Sequence, residues 1–181
     1  MPDQANGLLS SWLRKKRFEA VRPYLKGKIL DVGCGVGALS ELVSPDLYFG
    51  VDIDKESLQT ARMKYPQYRF ENEYPKNIQF DTAVLIAIIE HIKTKHFFLK
   101  HLVSMLAPKG RIVMTTPHPS TEKIYSLGAK IGLFSSAANE QHDQLLDYEN
   151  LQKIVAHTGL IISEYKRFLF GANQLFVLKV G

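Results

Sequence analysis

The order of apolar and polar positions predicts strands and helices that alternate along most of the chain. Short, nearly continuous apolar runs are typical of strands buried on both faces of a parallel sheet, and they occupy residues 28–32, 47–52, 68–71, 81–89 and 111–116. Apolar residues recur at helical spacing over residues 38–43, 55–65, 96–106 and 148–158. This alternation predicts a doubly wound α/β sheet with right-handed crossovers.

The two ends of the chain extend this pattern. Helical spacing over residues 7–24 predicts an N-terminal helix within residues 1–26, because Pro23 marks its end. Apolar runs at residues 160–168 and 175–180 are joined by too few residues for a crossover, so they predict an antiparallel C-terminal hairpin. We therefore expect a seven-stranded, mostly parallel sheet in a single domain, residues 1–181.

One long stretch has no periodic pattern. Residues 117–147 are largely irregular, although Ile124, Leu127 and Ile131 fit one short amphipathic helix. This stretch follows the carboxyl end of a predicted central strand, which is the edge where open α/β sheets bind ligands. We interpret residues 117–147 as a segment that covers the substrate.

A glycine-rich turn follows the first apolar run. Residues 31–37 read D-V-G-C-G-V-G, and glycine lets the backbone take positive φ values and approach a ligand closely. A second apolar run ends in Asp52, about 20 residues beyond Gly33, where a nucleotide-binding βαβ unit carries its ribose-binding carboxylate. Together the turn and Asp52 predict a nucleotide-type cofactor at the carboxyl ends of the strands.

Composition and charge narrow the class of protein. Hydrophobic residues make up 45% and charged residues 23% of the chain, as in soluble globular proteins. The net charge of +5 permits an anionic partner, but the densest basic patch, residues 14–17, is interpreted as the solvated face of a helix. The single cysteine excludes an internal disulfide and a multi-cysteine metal site. Without a visible signal peptide or membrane span, we expect a cytoplasmic protein with no bound metal.

Four motifs resemble those of the class I S-adenosylmethionine-dependent methyltransferase family, and the resemblance covers residues 29–179. Residues 31–37 resemble its D-x-G-x-G-x-G motif, and residues 50–54 its G-x-D-x-[DS] motif. Residues 80–91 resemble the fourth-strand segment that ends in Glu-His, and residues 106–110 the L-x-P-G-G turn, with Lys109 in place of the first glycine. The resemblance implies a Rossmann-like methyltransferase fold, S-adenosylmethionine as cofactor and S-adenosylhomocysteine as product.

Two further stretches resemble a subgroup, the type 11/23-like enzymes that act on small molecules and glycans. Residues 116–119 resemble its Thr-Pro-Asn segment, with His118 in place of asparagine. His142, residues 148–151 and residues 158–160 resemble its C-terminal motif, with Leu160 in place of phenylalanine. The implied acceptor is a small molecule or a glycan intermediate, methylated on oxygen.

The resemblance also implies the residues that contact the cofactor. The backbone of Gly33, Gly35 and Gly37 approaches the methionine and ribose portion, and Asp31 orients the amino-acid moiety. Asp52 accepts both ribose hydroxyls, because a carboxylate has two oxygens suited to a vicinal diol.

The remaining predicted cofactor contacts lie around the adenine and at the end of the fourth strand. Ile53 lies on the adenine face, and either Glu71 or Asn72 binds the adenine amino group, a choice that the sequence leaves open. Cys34 and Ala87 complete the predicted set, although a small structural residue is the more usual role for Cys34.

Three histidines lie where a base could remove a proton from a hydroxyl acceptor: His91 and His118 after strand ends, and His142 after the irregular segment. Histidine suits this task because its pKa lies near neutrality. Glu90 is a rival base, or else a structural partner of the nearby backbone or of His91.

Other classes of protein are disfavoured or remain as alternatives. Residues 87–90 read A-I-I-E, not the Asn/Asp-Pro-Pro-aromatic segment of enzymes that methylate amino groups of nucleic acids, so a nucleic-acid partner is not expected. An NAD(P)-binding oxidoreductase remains an alternative, since Gly33-x-Gly35-x-x-Ala38 also fits the dinucleotide pattern. A non-catalytic subunit that binds S-adenosylmethionine is the other.

Overall fold

The computed structural model describes residues 8–121 and 146–181. These residues contain one seven-stranded sheet, in the order β3-β2-β1-β4-β5-β7-β6. The strands are β1 Ile29–Val32, β2 Tyr48–Val51, β3 Arg69–Glu71, β4 Phe80–Ile86, β5 Leu106–Pro117, β6 Leu160–Phe168 and β7 Asn173–Val180. β1 to β5 pair in parallel, and β7 pairs antiparallel with both β5 and β6. The predicted doubly wound sheet and its antiparallel hairpin are confirmed.

The described residues contain four α-helices: α1 Leu8–Val21, α2 Lys55–Lys64, α3 Lys95–Ser104 and α4 Tyr148–Val155. Two of them begin at an aspartate that caps the free backbone N–H groups. Asp54 accepts a hydrogen bond from the Glu56 N–H at 3.2 Å, and Asp147 accepts one from the Asn150 N–H at 2.8 Å. No helix in the described parts of the chain has the length and apolar character needed to cross a membrane.

Three predicted boundaries are wrong. The helix expected over residues 38–43 is a 3₁₀ turn, Ala38–Leu42, because a short segment that ends just before the Ser44–Pro45 step has no room for further helical turns. β4 ends at Ile86, and Ile89–His91 form a 3₁₀ turn instead of continuing the strand. β5 begins at Leu106, so the predicted turn at residues 107–110 lies inside the strand.

Both faces of the sheet are buried. On one face, α3 and α4 pack Leu99 and Leu151 against Leu30, Leu85 and other strand residues. On the other face, α1 packs on the central strands and α2 packs beside β2 and β3. With both faces covered, the carboxyl ends of the parallel strands are the edge at which polar side chains can collect.

Lys109 has a backbone conformation that favours glycine, with φ of 66°. Because this left-handed conformation costs a non-glycine residue about 1–2 kcal/mol, we expect Lys109→Gly to raise the free energy of unfolding by about 0.5–1 kcal/mol after the extra chain entropy of glycine is subtracted. Urea denaturation measures this change. In the matched control Lys100→Gly, within α3, the free energy of unfolding falls by about 1 kcal/mol. An equal loss in both variants would show that the φ of Lys109 carries no strain.

Candidate functional site

The three glycines of the turn after β1 serve different purposes. A Cβ on Gly33 would lie 2.2 Å from Ile88 Cδ1, and one on Gly37 would lie 2.6 Å from Phe70 Cζ. A Cβ on Gly35 would meet nothing within 4 Å. Gly33 and Gly37 therefore permit close packing, whereas Gly35 borders open space in which a ligand can approach the backbone.

This difference predicts separate effects of two alanine substitutions. All three glycines have positive φ, 74° at Gly33 and 52° at Gly35, so each substitution carries about 1–2 kcal/mol of backbone strain. We expect Gly33→Ala to lose about 1–3 kcal/mol more, because its methyl group meets Ile88. Gly35→Ala should retain more stability but lose more affinity for S-adenosylhomocysteine. Thermal unfolding measures the loss of stability, and calorimetry measures the loss of affinity. If Gly33→Ala lost as much affinity as Gly35→Ala, the different roles assigned to the two glycines would be wrong.

Asp52 joins the turn to the end of β2. Its Oδ2 accepts a hydrogen bond from the Gly35 N–H at 2.7 Å, and its Oδ1 accepts one from the Asp54 N–H at 2.9 Å. The N–H groups of Gly33 and Cys34 both donate to the Val51 carbonyl, at 2.8 and 3.1 Å. The carboxylate is thus fixed in orientation, and each oxygen still has a lone pair that can accept a further hydrogen bond.

Asp31 is a buried carboxyl group, 3% exposed, on β1. The Tyr48 hydroxyl donates a hydrogen bond to its Oδ2 at 2.6 Å. Burial raises the pKa of Asp31 to about 7, with the nearby Asp52 adding to the rise and the Tyr48 hydrogen bond opposing it. Tyr48 was missed in the sequence, where the only signal is one hydroxyl in an otherwise apolar strand.

The residues predicted around the adenine lie beside Asp52. Ile53 is 95% exposed, which is unusual for a large apolar side chain and leaves its face open to a ligand. The Asp52 N–H donates to the Glu71 carbonyl at 3.1 Å, so the end of β3 lies beside Asp52. Glu71 pairs with Arg62 at 3.3 Å, and Asn72 is exposed. The choice between Glu71 and Asn72 stays open.

Cys34 contributes to packing rather than to chemistry. Its side chain is buried in a cluster with Tyr48, Leu58 and Phe70. Burial raises the pKa of the thiol above its ordinary range, so no thiolate nucleophile forms there. Any contact of Cys34 with a cofactor therefore comes from its backbone.

Ala87 directly follows β4 in a conformation that a non-glycine residue rarely adopts, with φ of 57°. Its N–H still donates to the Thr115 carbonyl of β5 at 2.9 Å. Such backbone strain clusters at functional sites, and the next residue, Ile88, packs over Gly33. Ala87 therefore lies next to the glycine-rich turn, as a cofactor contact requires.

Glu90 lies in the 3₁₀ turn after β4 and is 8% exposed. Its Oε2 has no hydrogen-bond partner among residues 8–121 and 146–181. Burial raises the pKa of Glu90, although nearby Arg17, His91 and Thr116 oppose the rise. His91, by contrast, is exposed.

Arg17 and Asn173 are further polar residues at this edge that the sequence did not reveal. Arg17 Nε donates to Asn173 Oδ1 at 2.9 Å, which ties α1 to the start of β7. Asn173 is fully buried and pairs in register with Pro117, at the end of β5. The only signal in the sequence was that polar Asn173 lies just before the apolar run at residues 175–180. These contacts place α1 beside the carboxyl edge of the sheet.

His118 follows β5 and is fixed by its neighbours. Its Nδ1 lies 2.8 Å from Ser120 Oγ and accepts a hydrogen bond from the Ser120 N–H at 3.1 Å. The backbone N–H of His118 donates to the Ala172 carbonyl at 3.0 Å. Burial lowers the pKa of His118, and Arg167 lowers it further, while Asp147 opposes them. His142 and the short helix predicted around Ile124 lie outside the described residues.

The described strand ends thus bring together most of the predicted site. The glycine-rich turn, Asp52, Ala87 and the Glu90–His91 turn occupy one edge, and His118 follows the adjacent strand. No group of three or more His, Cys, Asp or Glu side chains among the described residues could hold a metal ion. The class I methyltransferase type of α/β protein is defined by a doubly wound sheet that ends in an antiparallel hairpin. It also has a glycine-rich turn preceded by an acid, here Asp31, and a second acid after β2, here Asp52.

Comparison with known proteins agrees with this class. A family model described as a methyltransferase domain matches residues 6–164. The chain therefore belongs to the methyltransferase domain family, and it is an S-adenosylmethionine-dependent methyltransferase. This membership confirms the predicted cofactor and decides against the oxidoreductase.

Individual relatives are distant. The chain is 25% identical over 161 residues to a ubiquinone biosynthesis O-methyltransferase of Rickettsia bellii (strain OSU 85-389), covering 81% of this chain and 67% of that protein. It is 26% identical over 168 residues to the mitochondrial ubiquinone biosynthesis O-methyltransferase of Homo sapiens, covering 82% of this chain but only 45% of that protein.

A solved structure shows the same fold. The magnesium protoporphyrin IX methyltransferase of Synechocystis PCC 6803, crystallised with bound S-adenosylhomocysteine, superposes with a TM-score of 0.71 at 19% identity. The match covers 99% of this chain and 90% of that chain. At this identity the likeness shows the fold, and the individual cofactor contacts stay predictions.

Proposed function

We propose that the chain methylates an oxygen atom of a small molecule and holds S-adenosylmethionine between the glycine-rich turn and Asp52. The observation that carries this proposal is the Asp52 carboxylate, which is held by the N–H groups of Gly35 and Asp54 with lone pairs to spare. Open space beside Gly35 and the exposed Ile53 fit a nucleoside on the same side.

When bound, S-adenosylmethionine supplies a methyl group whose bond to sulfur breaks as the acceptor oxygen bonds to the carbon. The work left to the protein is to hold the acceptor in line and to exclude water, which can lower the barrier by about 7–11 kcal/mol. A hydroxyl acceptor also loses its proton, and a side chain that takes it adds about 10²–10⁴-fold. His91, His118 and His142 are the candidates for that base, with Glu90 as a rival.

The acceptor class is inferred from three sources. The subgroup motifs at residues 116–119 and after His142 imply a small molecule or glycan intermediate, and the two relatives above are named as O-methyltransferases. The polar carboxyl edge beside α1, with Arg17, Glu90 and Asn173, suits a polar acceptor. We keep the cytoplasm as the predicted compartment.

The test combines binding with methyl transfer. Calorimetry with S-adenosylhomocysteine and with NADH, followed by transfer of labelled methyl from S-adenosylmethionine to phenol, catechol, methyl glucoside and aniline, covers the alternatives. We expect binding of S-adenosylhomocysteine alone and label on an oxygen. Transfer to aniline but to no hydroxyl compound would show that the methylated atom is nitrogen and not oxygen. Binding of NADH alone would overturn the proposal.

A further inference from the structure

The basic patch at residues 14–17 does not form one solvated face in the folded protein. Arg17 is tied to the start of β7, and Lys16 forms an exposed ion pair within α1. Arg14 and Lys15 instead line a cleft beside the helix. These two residues therefore have surroundings that the sequence did not reveal.

The cleft lies between α1, the 3₁₀ turn Ala38–Leu42 and the end of α2, and its volume is about 280 Å³. Its apolar wall includes Phe18 and Leu42, which pack against the core. Pockets for small molecules have volumes of about 300–1,000 Å³ and combine apolar walls with a few polar or charged groups. The cleft suits a ligand at the lower end of this range. Because neither Asp52 nor Ile53 lines it, the cleft is separate from the proposed cofactor site.

Three cations face this cleft, and a single carboxylate opposes them. The cations are Arg14 and Lys15 of α1 and Lys64 of α2, and the carboxylate is Glu41. The Tyr65 hydroxyl donates to Glu41 Oε1, and Lys64 Nζ lies 3.9 Å from the same oxygen. Glu41 is thus already engaged, whereas Arg14 and Lys15 form no side-chain hydrogen bond or ion pair within the described parts of the chain.

The charges of the lining favour a particular kind of anion. The hydrogen bond to Tyr65 raises the pKa of Lys64, and the charge of Arg14 opposes this rise, so the two cations repel each other. An anion between them would offset this repulsion. Three cations and one carboxylate give the lining a net charge of +2, and a phosphate monoester carries about −1.5 to −2 at neutral pH. Arginine and lysine are also the usual partners of phosphate oxygens.

We infer that this cleft binds the phosphate group of a small phosphorylated molecule. Arg14, Lys15 and Lys64 contact the phosphate oxygens, and the apolar wall with Phe18 and Leu42 contacts the organic part of the ligand. A carboxylate, with a single charge, matches the lining less well than a phosphate does.

Nuclear magnetic resonance tests the site with defined probes. The full chain is titrated at constant ionic strength with inorganic phosphate, phenyl phosphate and benzoate, because salt screens exposed charges. We expect phenyl phosphate to shift the backbone signals of residues 38–42 and of α1. Shifts confined to the glycine-rich turn, or no shift at all, would overturn the inference.

The relative affinities of the three probes identify the ligand class. We expect phenyl phosphate to bind at least about 5-fold more tightly than inorganic phosphate, because its ring adds apolar contact. Benzoate, which has the ring but only one charge, should bind more weakly than phenyl phosphate. Equal affinities for the two phosphates would assign the cleft to the free ion. Benzoate as tight as phenyl phosphate would exclude a phosphate site, and either result overturns the inference.

Charge substitutions test the lining. We expect Arg14→Gln and Lys15→Gln each to weaken binding of phenyl phosphate by about 3–10-fold, as for one exposed charged contact. Lys16→Gln removes the same charge from the neighbouring exposed ion pair and is the matched control, which should bind normally. Glu41→Gln keeps an acceptor for the Tyr65 hydroxyl but removes the opposing charge, so the affinity should rise by about 3–10-fold.

The outcomes are separate from those of the proposed function. Circular dichroism shows whether each variant is folded. If Lys16→Gln weakens binding as much as Lys15→Gln, the anion is attracted by the helix as a whole and the inference fails. The titrations need neither S-adenosylmethionine nor a methyl acceptor, so they decide the inference even if no hydroxyl compound is methylated.

Discussion

Replacing Asp52 with alanine should lower the affinity for S-adenosylhomocysteine by about 10²–10⁴-fold, because two charge-assisted hydrogen bonds to ribose hydroxyls contribute about 1.5–3 kcal/mol each. The same carboxylate holds the N–H groups of Gly35 and Asp54, so the turn also loses an anchor. Isothermal titration calorimetry measures the affinity, and circular dichroism shows whether the variant is folded.

Two further variants sharpen this result. Asp52→Asn keeps the shape of the side chain but loses its charge and one acceptor oxygen, and we expect an intermediate loss of about 10–100-fold. Asp46→Asn, at an exposed aspartate in the turn before β2, is the matched control and should bind normally. A folded Asp52→Ala protein with unchanged affinity would show that Asp52 does not bind the ribose.

Replacing Asp31 with asparagine should stabilise the cofactor-free protein above neutral pH and weaken cofactor binding. The pKa of Asp31 is about 7 in the folded protein, against an ordinary value of 3.8. Between these values the folded protein retains a proton that the unfolded chain releases, so stability falls as the pH rises from about 4 to about 7. Above pH 7 the accumulated cost is about 4 kcal/mol for this buried group.

The measurement is urea denaturation without cofactor at pH 5, 7 and 8.5. We expect the parent protein to lose stability across this series, and Asp31→Asn, which has no carboxyl to ionise, to lose less. Tyr48→Phe removes the hydrogen bond that opposes the rise in pKa, so the loss should continue to higher pH. An Asp31→Asn protein less stable than the parent at pH 8.5 would show that the ionised carboxylate is needed by the fold.

Cofactor binding should show the opposite dependence on pH. S-adenosylmethionine carries positive charge, which favours the ionised form of a carboxyl that orients its amino-acid moiety. We therefore expect its affinity for the parent protein to rise through pH 7 with release of a proton, and Asp31→Asn to bind more weakly without this rise. Calorimetry in buffers of different ionisation enthalpy counts the protons. A parent affinity that is flat between pH 6 and 8 would place Asp31 away from the cofactor.

The strand ends show how far pattern reasoning reaches. The apolar run at residues 81–89 correctly predicts a central buried strand, but the chain leaves the sheet at Ala87, which has a left-handed conformation. Nothing in a run of alanine and isoleucine distinguishes Ile86, the last residue of β4, from Ile88, which packs over Gly33. The place where β4 ends depends on a contact with the glycine-rich turn after β1, which is remote in the chain.

The acids show the same division. The spacing of Asp31 and Asp52 around the glycine turn predicts their places in the site, because the βαβ unit is a local structure. Their chemistry depends on the folded surroundings, which are burial and Tyr48 for Asp31 and the N–H groups of Gly35 and Asp54 for Asp52. The folded surroundings of His118 are also set by the tertiary structure, because Arg167 of β6 donates to Ser120 Oγ while the Ser120 N–H donates to His118 Nδ1.

By itself the sequence determined the order of strands and helices, the antiparallel hairpin, the glycine-rich turn and the class of cofactor. Hydrophobic periodicity and short motifs carry this information because each depends on residues close together in the chain. Only the tertiary structure decided that Asp31 is buried beside Tyr48 and that Glu90 Oε2 lacks a partner among the described residues. These properties arise from desolvation and hydrogen bonds between residues far apart in the chain.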